Sequence, residues 1–230
     1  MSTSRTSPVA TGLLALTGAG MVVALYLAFL YAPTEAMMGD VQRIFYFHVP
    51  MAWVAFLAFG VVFVGSVLYL WKGQERWDRL AYSAARLGVL FTSLNVITGV
   101  LWAKPIWGTW WVWDPRLTTT TVLWLLYIAY LVVHSAAESG RGSRFAAVFG
   151  IVGFVDVPVV YMSIRWWRTM HPAPVIAGGS DSGLAPSMLF TLLFSVALFT
   201  LLFVYLLRQS LAVHRLEAEV EMLSQEGSVG

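Results

Sequence analysis

The chain has 230 residues, 59% hydrophobic and 11% charged, with a mean hydropathy of +0.74. Soluble domains carry roughly 25% charged residues, so this chain cannot cover a water-facing surface, and the bilayer is its solvent. It has no cysteine, which excludes disulfides, thiol redox chemistry, zinc–cysteinate sites and haem attachment through Cys-x-x-Cys-His. The net charge of +2 is small, and the basic residues are dispersed over short loops with no nucleic-acid patch.

A spanning helix needs about 20 largely apolar residues. Six segments qualify: 9–31, 50–71, 84–103, 119–137, 146–164 and 186–207. The first is too long for a signal-peptide core and lacks a small-residue cleavage pattern, so it reads as a retained span closed by Pro33. Pro50 is expected as the first residue of the second span, where its missing N–H is not needed. Pro158 should kink the fifth. Asp156 lies in that same span; an intramembrane carboxyl is a functional candidate by default, and the alternative is a structural pairing with a backbone group freed by Pro158 or with Asn95 of the third span. Residues 209–226 differ. Leu211, Leu216, Val220 and Leu223 recur at helical spacing among Glu217, Glu219 and Glu221, which describes a short amphipathic tail. The expectation is an all-α integral membrane protein with six transmembrane helices over residues 1–208 and a cytoplasmic amphipathic tail over 209–230. No internal repeat and no second domain is visible.

Lys and Arg counts set orientation. One side holds nine: Arg5, Lys72, Arg76, Arg79, Arg86, Arg141, Arg144, Arg208 and Arg215. The other holds five: Arg43, Lys104, Arg116, Arg165 and Arg168. Both termini are therefore expected in the cytoplasm. A parity argument needs no absolute orientation. Two spans separate His48 from the stretch Trp107–Thr118, and two more separate that stretch from His171. All three emerge on one membrane face, His134 and His214 on the other.

The stretch Trp107-Gly-Thr-Trp-Trp-Val-Trp-Asp-Pro-Arg-Leu-Thr118 carries four of the eleven tryptophans. An interfacial aromatic belt suffices for Trp53, Trp71, Trp77, Trp102 and Trp124. It fits Trp107, Trp110, Trp111 and Trp113 poorly, because they are expected in a loop with Gly108 and Asp114 among them. Gly108 lets the backbone turn or approach a ligand. Asp114 is placed to orient a ring N–H or cap the next helix, and Thr118 is a second N-cap candidate. A lone interfacial histidine is usually a hydrogen-bonding group. Two on one face with aromatic surface between them, His48 in Arg43-Ile-Phe-Tyr-Phe-His-Val-Pro50 and His171 in Arg165-Trp-Trp-Arg-Thr-Met-His-Pro172, suit the two axial positions of an iron porphyrin. Indoles stack on the macrocycle, and Arg43, Lys104 or Arg116 can pair with its propionates. Met170 offers a thioether beside His171. His134 is expected to be structural and His214 solvated.

Trp107-Gly-x-x-Trp-x-Trp-Asp114, continued by Pro115-Arg-Leu-Thr118, together with Tyr46-Phe-His-Val-Pro50 and Trp166-Trp-x-Thr-x-His171, resembles the cytochrome c maturation protein C family, also called haem exporter protein C. The likeness runs from about residue 40 to residue 207. It implies a protein that holds non-covalent, b-type haem at the outer face of the cytoplasmic membrane, with His48 and His171 as axial ligands. Trp107, Gly108, Trp110, Trp111, Trp113 and Asp114 match the platform, and Arg43 and Arg116 fall where the family has basic residues near haem. The implied partners are a membrane-anchored haem chaperone, the ATPase and membrane subunits of an ABC transporter, which hydrolyses the ATP, and a small single-span subunit. The positions that depart from the family pattern are Pro172 directly after His171, and Asp156.

No nucleophile–base pair or phosphate loop is visible, so a non-enzymatic haem-transfer subunit is expected. The alternative is a component of a haem lyase or cytochrome c synthase that attaches haem to apocytochrome. That alternative, like a b-haem electron-transfer subunit, expects histidines facing one another inside spans. A transporter gated by the Trp stretch is a further rival.

Overall fold

A computed structural model describes residues 8–136, 141–172 and 183–228. Arg5, counted above for orientation, lies outside the described residues. The helices are α1 (Pro8–Tyr26, continued by a π turn Leu27–Tyr31), α2 (Phe45–Lys72, entered through a 3-10 turn Asp40–Ile44), α3 (Glu75–Trp107), α4 (Pro115–Ser135), α5 (Arg141–Phe154), α6 (Asp156–Trp166) and α7 (Pro186–Ser228). Six units are long and apolar enough to cross a membrane, with α5 and α6 together forming the fifth. Among the described residues no strand occurs beyond an isolated bridge between Glu35 and Gly39.

α2 and α3 form a tight antiparallel pair. Gly73 ends α2 in the left-handed conformation (φ 64°), and its N–H returns to the Tyr69 carbonyl at 2.8 Å. In lipid, helices associate by close van der Waals packing at small residues. A Cβ on Gly65 would lie 3.1 Å from the Ala81 Cβ, and one on Gly88 would lie 2.4 Å from the Phe59 ring. That ring stacks on Tyr127 of α4, with centroids 3.7 Å apart and planes 11° from parallel. Val54, Ala58, Phe59, Val62, Ala84, Ala85, Tyr127 and Tyr130 make the buried centre. α7 covers one side through Phe199 and Phe203. A second cluster, Ala28, Ala32, Phe45, Tyr46, Met188 and Leu192, joins the end of α1 to the starts of α2 and α7.

Several expectations need correction. Pro50 does not begin a span but lies inside α2. The helix starts earlier because Phe45 and Tyr46 find buried seats, and the 3-10 turn feeds directly into it. Pro158 does break the fifth span: α5 ends at Phe154, α6 starts at Asp156, and Val155 N–H bonds the Val152 carbonyl at 3.1 Å. Proline lacks the N–H that residue 154 would need. Asp156 does not meet Asn95, whose amide is engaged with His48; the Asp156 Oδ2 is buried without a hydrogen-bond partner among the described residues. Trp53, Trp102 and Trp124 also have partners inside the bundle. An indole N–H inside a span needs an acceptor, and Trp53 reaches Thr200 at 3.1 Å while Trp124 reaches Ser93 at 2.8 Å. Trp102 packs edge-on to His48.

At the end of the bundle remote from His48, His134 bonds the buried Asp78 carboxylate at 3.0 Å and stacks on Tyr82. His214 is not solvated. α7 passes residue 208 unbroken and carries His214 to within 5.7 Å of Tyr82, where it pairs with Glu217 at 3.0 Å. Further along α7, Leu216, Val220 and Leu223 are exposed.

Candidate functional site

The end of the bundle that carries His48 holds a cavity of about 320 Å³. Its wall is apolar over most of its area, with Val49, Ala52, Phe56, Val96, Val100 and Leu123 among the aliphatic and aromatic residues that line it. His48, His171, Trp107, Trp111 and Arg116 all line it. The parity argument from sequence is thus borne out at the level of side chains: two histidines 123 positions apart meet at one cavity with half of the tryptophan stretch.

His48 sits in the first turn of α2 against α3. The Asn95 amide donates to the His48 carbonyl at 3.0 Å, and the Thr98 hydroxyl lies 3.0 Å from the ring Nδ1. Trp102 stands edge-on to the ring at 5.7 Å. A Cβ on Gly99 would come within 3.1 Å of the His48 Cε1, so glycine makes the room the ring occupies. Asn95, Thr98, Gly99 and Trp102 are one stripe of α3. None was a candidate from sequence as a partner of His48. The signal was present as a polar and small-residue stripe at helical spacing in an otherwise apolar span.

His171 lies in the segment after α6. Its Nδ1 faces the Pro172 carbonyl at 2.9 Å; a carbonyl only accepts, so Nδ1 carries the hydrogen and Nε2 is left as a lone-pair nitrogen. Pro172 therefore holds the ring. Packing around His171 pushes its pKa below the ordinary imidazole value; the Pro172 hydrogen bond opposes this and Arg116 adds to it. The neutral form that metal binding requires is thereby favoured.

Asp114 ties the two segments together. It is the N-cap of α4: one carboxylate oxygen accepts from Leu117 N–H at 2.8 Å, and Pro115 occupies the first helical position. The other oxygen accepts from the Thr169 hydroxyl, which in turn accepts from His171 N–H at 3.0 Å. Thr118 is inside the helix and is not the cap, because Pro115 lets the helix begin four residues sooner.

The tryptophans divide. Trp107 is the last residue of α3, not a loop residue, and Gly108 (φ 74°) ends that helix in the left-handed region open to glycine. Trp107 and Trp111 line the cavity, whereas Trp110 and Trp113 are 53% and 75% exposed. The cations divide too. Arg43 does not line the cavity; its guanidinium bonds the Ala28 and Ala32 carbonyls at 2.6 and 3.3 Å, the Thr34 hydroxyl and Asp40. Lys104 bonds the Gly108 carbonyl at 3.0 Å and lies over Trp110. Met170 is 53% exposed and is not in the cavity wall. Arg116 is half-buried in the wall, and its Nε has no partner among the described residues; nor have the buried indole N–H groups of Trp102 and Trp111. Of the twelve such buried side-chain atoms among the described residues, these three are the ones on residues that line the cavity. An apolar cavity with two imidazoles and three unmet donors fits a flat, largely apolar, metal-bearing molecule with an anionic edge. His134 and His214, at the opposite end, are not near it.

The family model described as CcmC: Heme exporter protein C matches residues 2–226 of the chain. A protein named Heme exporter protein C from Bradyrhizobium diazoefficiens is 39% identical over 177 residues, covering 76% of this chain and 67% of the relative. Its namesake from Haemophilus influenzae is 35% identical over 196 residues, covering 84% and 77%. The one from Escherichia coli K12 is 36% identical over 144 residues, covering 61% and 58%.

Proposed function

The chain belongs to the Heme exporter protein C family, and we propose that it holds non-covalent, b-type haem between His48 and His171 and hands it to a membrane-anchored haem chaperone. It is a multi-pass subunit of haem export for c-type cytochrome maturation. The observation that carries the reading is the single cavity lined by His48, His171, Trp107, Trp111 and Arg116. Haem is cargo here. The imidazoles supply two neutral axial donors, Trp107 and Trp111 exclude water, and Arg116 with the two unpaired indole N–H groups meets the propionates.

The cavity end of the bundle is the outer face of the cytoplasmic membrane, the periplasmic one in a Gram-negative cell, and both termini are cytoplasmic. The chain divides into a membrane domain, 1–208, and a cytoplasmic tail, 209–230, with α7 running unbroken across the boundary. Gly108, Trp110 and Trp113 complete the platform on its exposed side, where the chaperone docks. Arg43 supports the rim by holding the end of α1. Energy for release comes from ATP hydrolysed by the ATPase of an ABC transporter. Its membrane subunit and a small single-span subunit complete the complex. The chain itself is not an enzyme.

The test is haem transfer in reconstituted membranes with the purified chaperone. The unaltered chain should load haem onto it, and the His48→Ala, His171→Ala double variant should not. Equal loading by that variant would refute the reading.

A further inference from the structure

Thr98 stands on α3 facing the first turn of α2. Its hydroxyl oxygen is 3.0 Å from the His48 Nδ1, 2.8 Å from the Leu94 carbonyl oxygen and 3.0 Å from that of Asn95. A hydroxyl has one hydrogen and two lone pairs. Both carbonyls can only accept, so the Thr98 hydrogen is directed back along its own helix, as threonine commonly does inside helices. A lone pair is what remains facing His48. Contact at 3.0 Å then requires Nδ1 to carry the ring hydrogen, and a neutral imidazole with hydrogen on Nδ1 has its lone pair on Nε2.

The Asn95 amide does not compete for that lone pair. Its nitrogen donates to the His48 carbonyl at 3.0 Å and lies 3.3 and 3.4 Å from the two ring nitrogens. Its shortest contact is the carbonyl, and neither ring nitrogen lies closer to it than 3.3 Å. Trp102 and the bare Cα of Gly99 bound the ring on the α3 side, so its plane is fixed as well as its tautomer.

We infer that Thr98 is a positioning residue, which fixes the tautomer and plane of His48 so that Nε2 is presented to haem iron. This rests on the reading above that His48 is an axial ligand. The role resembles that of the hydrogen-bond partners that orient metal-bound imidazoles generally and raise their basicity. His171 obtains the same tautomer from a backbone carbonyl, which no side-chain substitution removes. His48 depends on a side chain, so its orientation is open to mutation.

The experiment uses the full chain in detergent, loaded with haem. Thr98→Val keeps the shape and removes the hydroxyl; Thr98→Ala repeats the test without a branched side chain, should valine fail to fold. Thr98→Ser restores the hydroxyl, and His48→Ala reports on the ligand itself. Haem affinity should fall about 10- to 100-fold in Thr98→Val and Thr98→Ala, the range seen when such partners are lost. The reduction potential of the haem that still binds should rise, because an imidazole without its Nδ1–H acceptor donates less electron density and favours ferric iron less. Thr98→Ser should return both toward the unaltered values. A role confined to packing would leave the potential of bound haem unmoved. Unchanged affinity and potential in Thr98→Val and Thr98→Ala, with the low-spin spectrum lost in His48→Ala, overturns the inference alone. A low-spin, two-imidazole spectrum that survives in His48→Ala overturns the ligand assignment, and the role of Thr98 falls with it.

Discussion

Thr169→Val isolates the link between the tryptophan stretch and His171. The threonine hydroxyl donates to the Asp114 carboxylate and accepts from His171 N–H at 3.0 Å. Valine has the same shape and neither capacity. The N-cap bond from Leu117 N–H to Asp114, at 2.8 Å, uses the other carboxylate oxygen and survives, so α4 keeps its start. A hydrogen bond to a charged group contributes roughly 1.5–3 kcal/mol and a neutral one roughly 0.5–1.5 kcal/mol. The lower ends sum to about 2 kcal/mol. Each 1.4 kcal/mol is a factor of ten in affinity, so haem should dissociate with a constant about 30-fold higher if the lost bonds fall on ordering the His171 segment. The assay is haem titration of the detergent-purified variant beside Thr169→Ser, which keeps both bonds. An affinity within about threefold of the unaltered chain would refute the claim that this tether positions His171, because that change is worth less than about 0.7 kcal/mol.

Arg116→Gln should weaken haem binding severalfold or more, while Arg43→Gln should lower thermal stability in detergent and leave the affinity of the folded fraction within about threefold. Arg116 has its unpaired Nε in the cavity wall, whereas Arg43 closes the end of α1 through the Ala28 and Ala32 carbonyls; the reverse pattern would contradict that division. Gly88→Ala should destabilise the bundle by about 1–3 kcal/mol, the usual range for overpacking, since its Cβ would fall 2.4 Å from a Phe59 ring already stacked on Tyr127; midpoint temperature and folded yield measure it. Trp111→Ala should reduce haem affinity, and Trp113→Ala, at a side chain 75% exposed, should slow transfer to the chaperone with affinity retained; stopped-flow transfer beside equilibrium titration separates the two.

The number of spans and the face shared by His48, Trp107–Thr118 and His171 were legible because hydropathy and parity are one-dimensional properties. The break at Pro158 was legible because proline's missing N–H acts locally whatever surrounds it. Helix ends were not. α2, α3 and α4 each extend beyond the apolar run into residues such as Tyr46, Trp107 and Arg116, whose polar groups conceal that the backbone is still helical. Partner choice was not legible either. Asn95 is equally available to Asp156 and to His48 until the packing of α2 on α3 decides it. Arg43 has a charge suited to a propionate, but it is near enough to the carbonyls ending α1 to be taken by them. The four tryptophans of the stretch look equivalent in sequence; Trp107 lines the cavity from the last turn of α3, and beyond the turn at Gly108 Trp111 lines it too while Trp110 and Trp113 stay exposed.

The most direct measurement is the electron paramagnetic resonance and visible spectrum of the ferric, haem-loaded chain at one haem per chain, beside His48→Ala and His171→Ala made singly. The unaltered protein should give the low-spin signature of two imidazole ligands, and each single variant should lose it, leaving iron with one protein ligand or none. A low-spin, two-imidazole spectrum that persists in either single variant would contradict the account, since a third nitrogen would then be holding the iron.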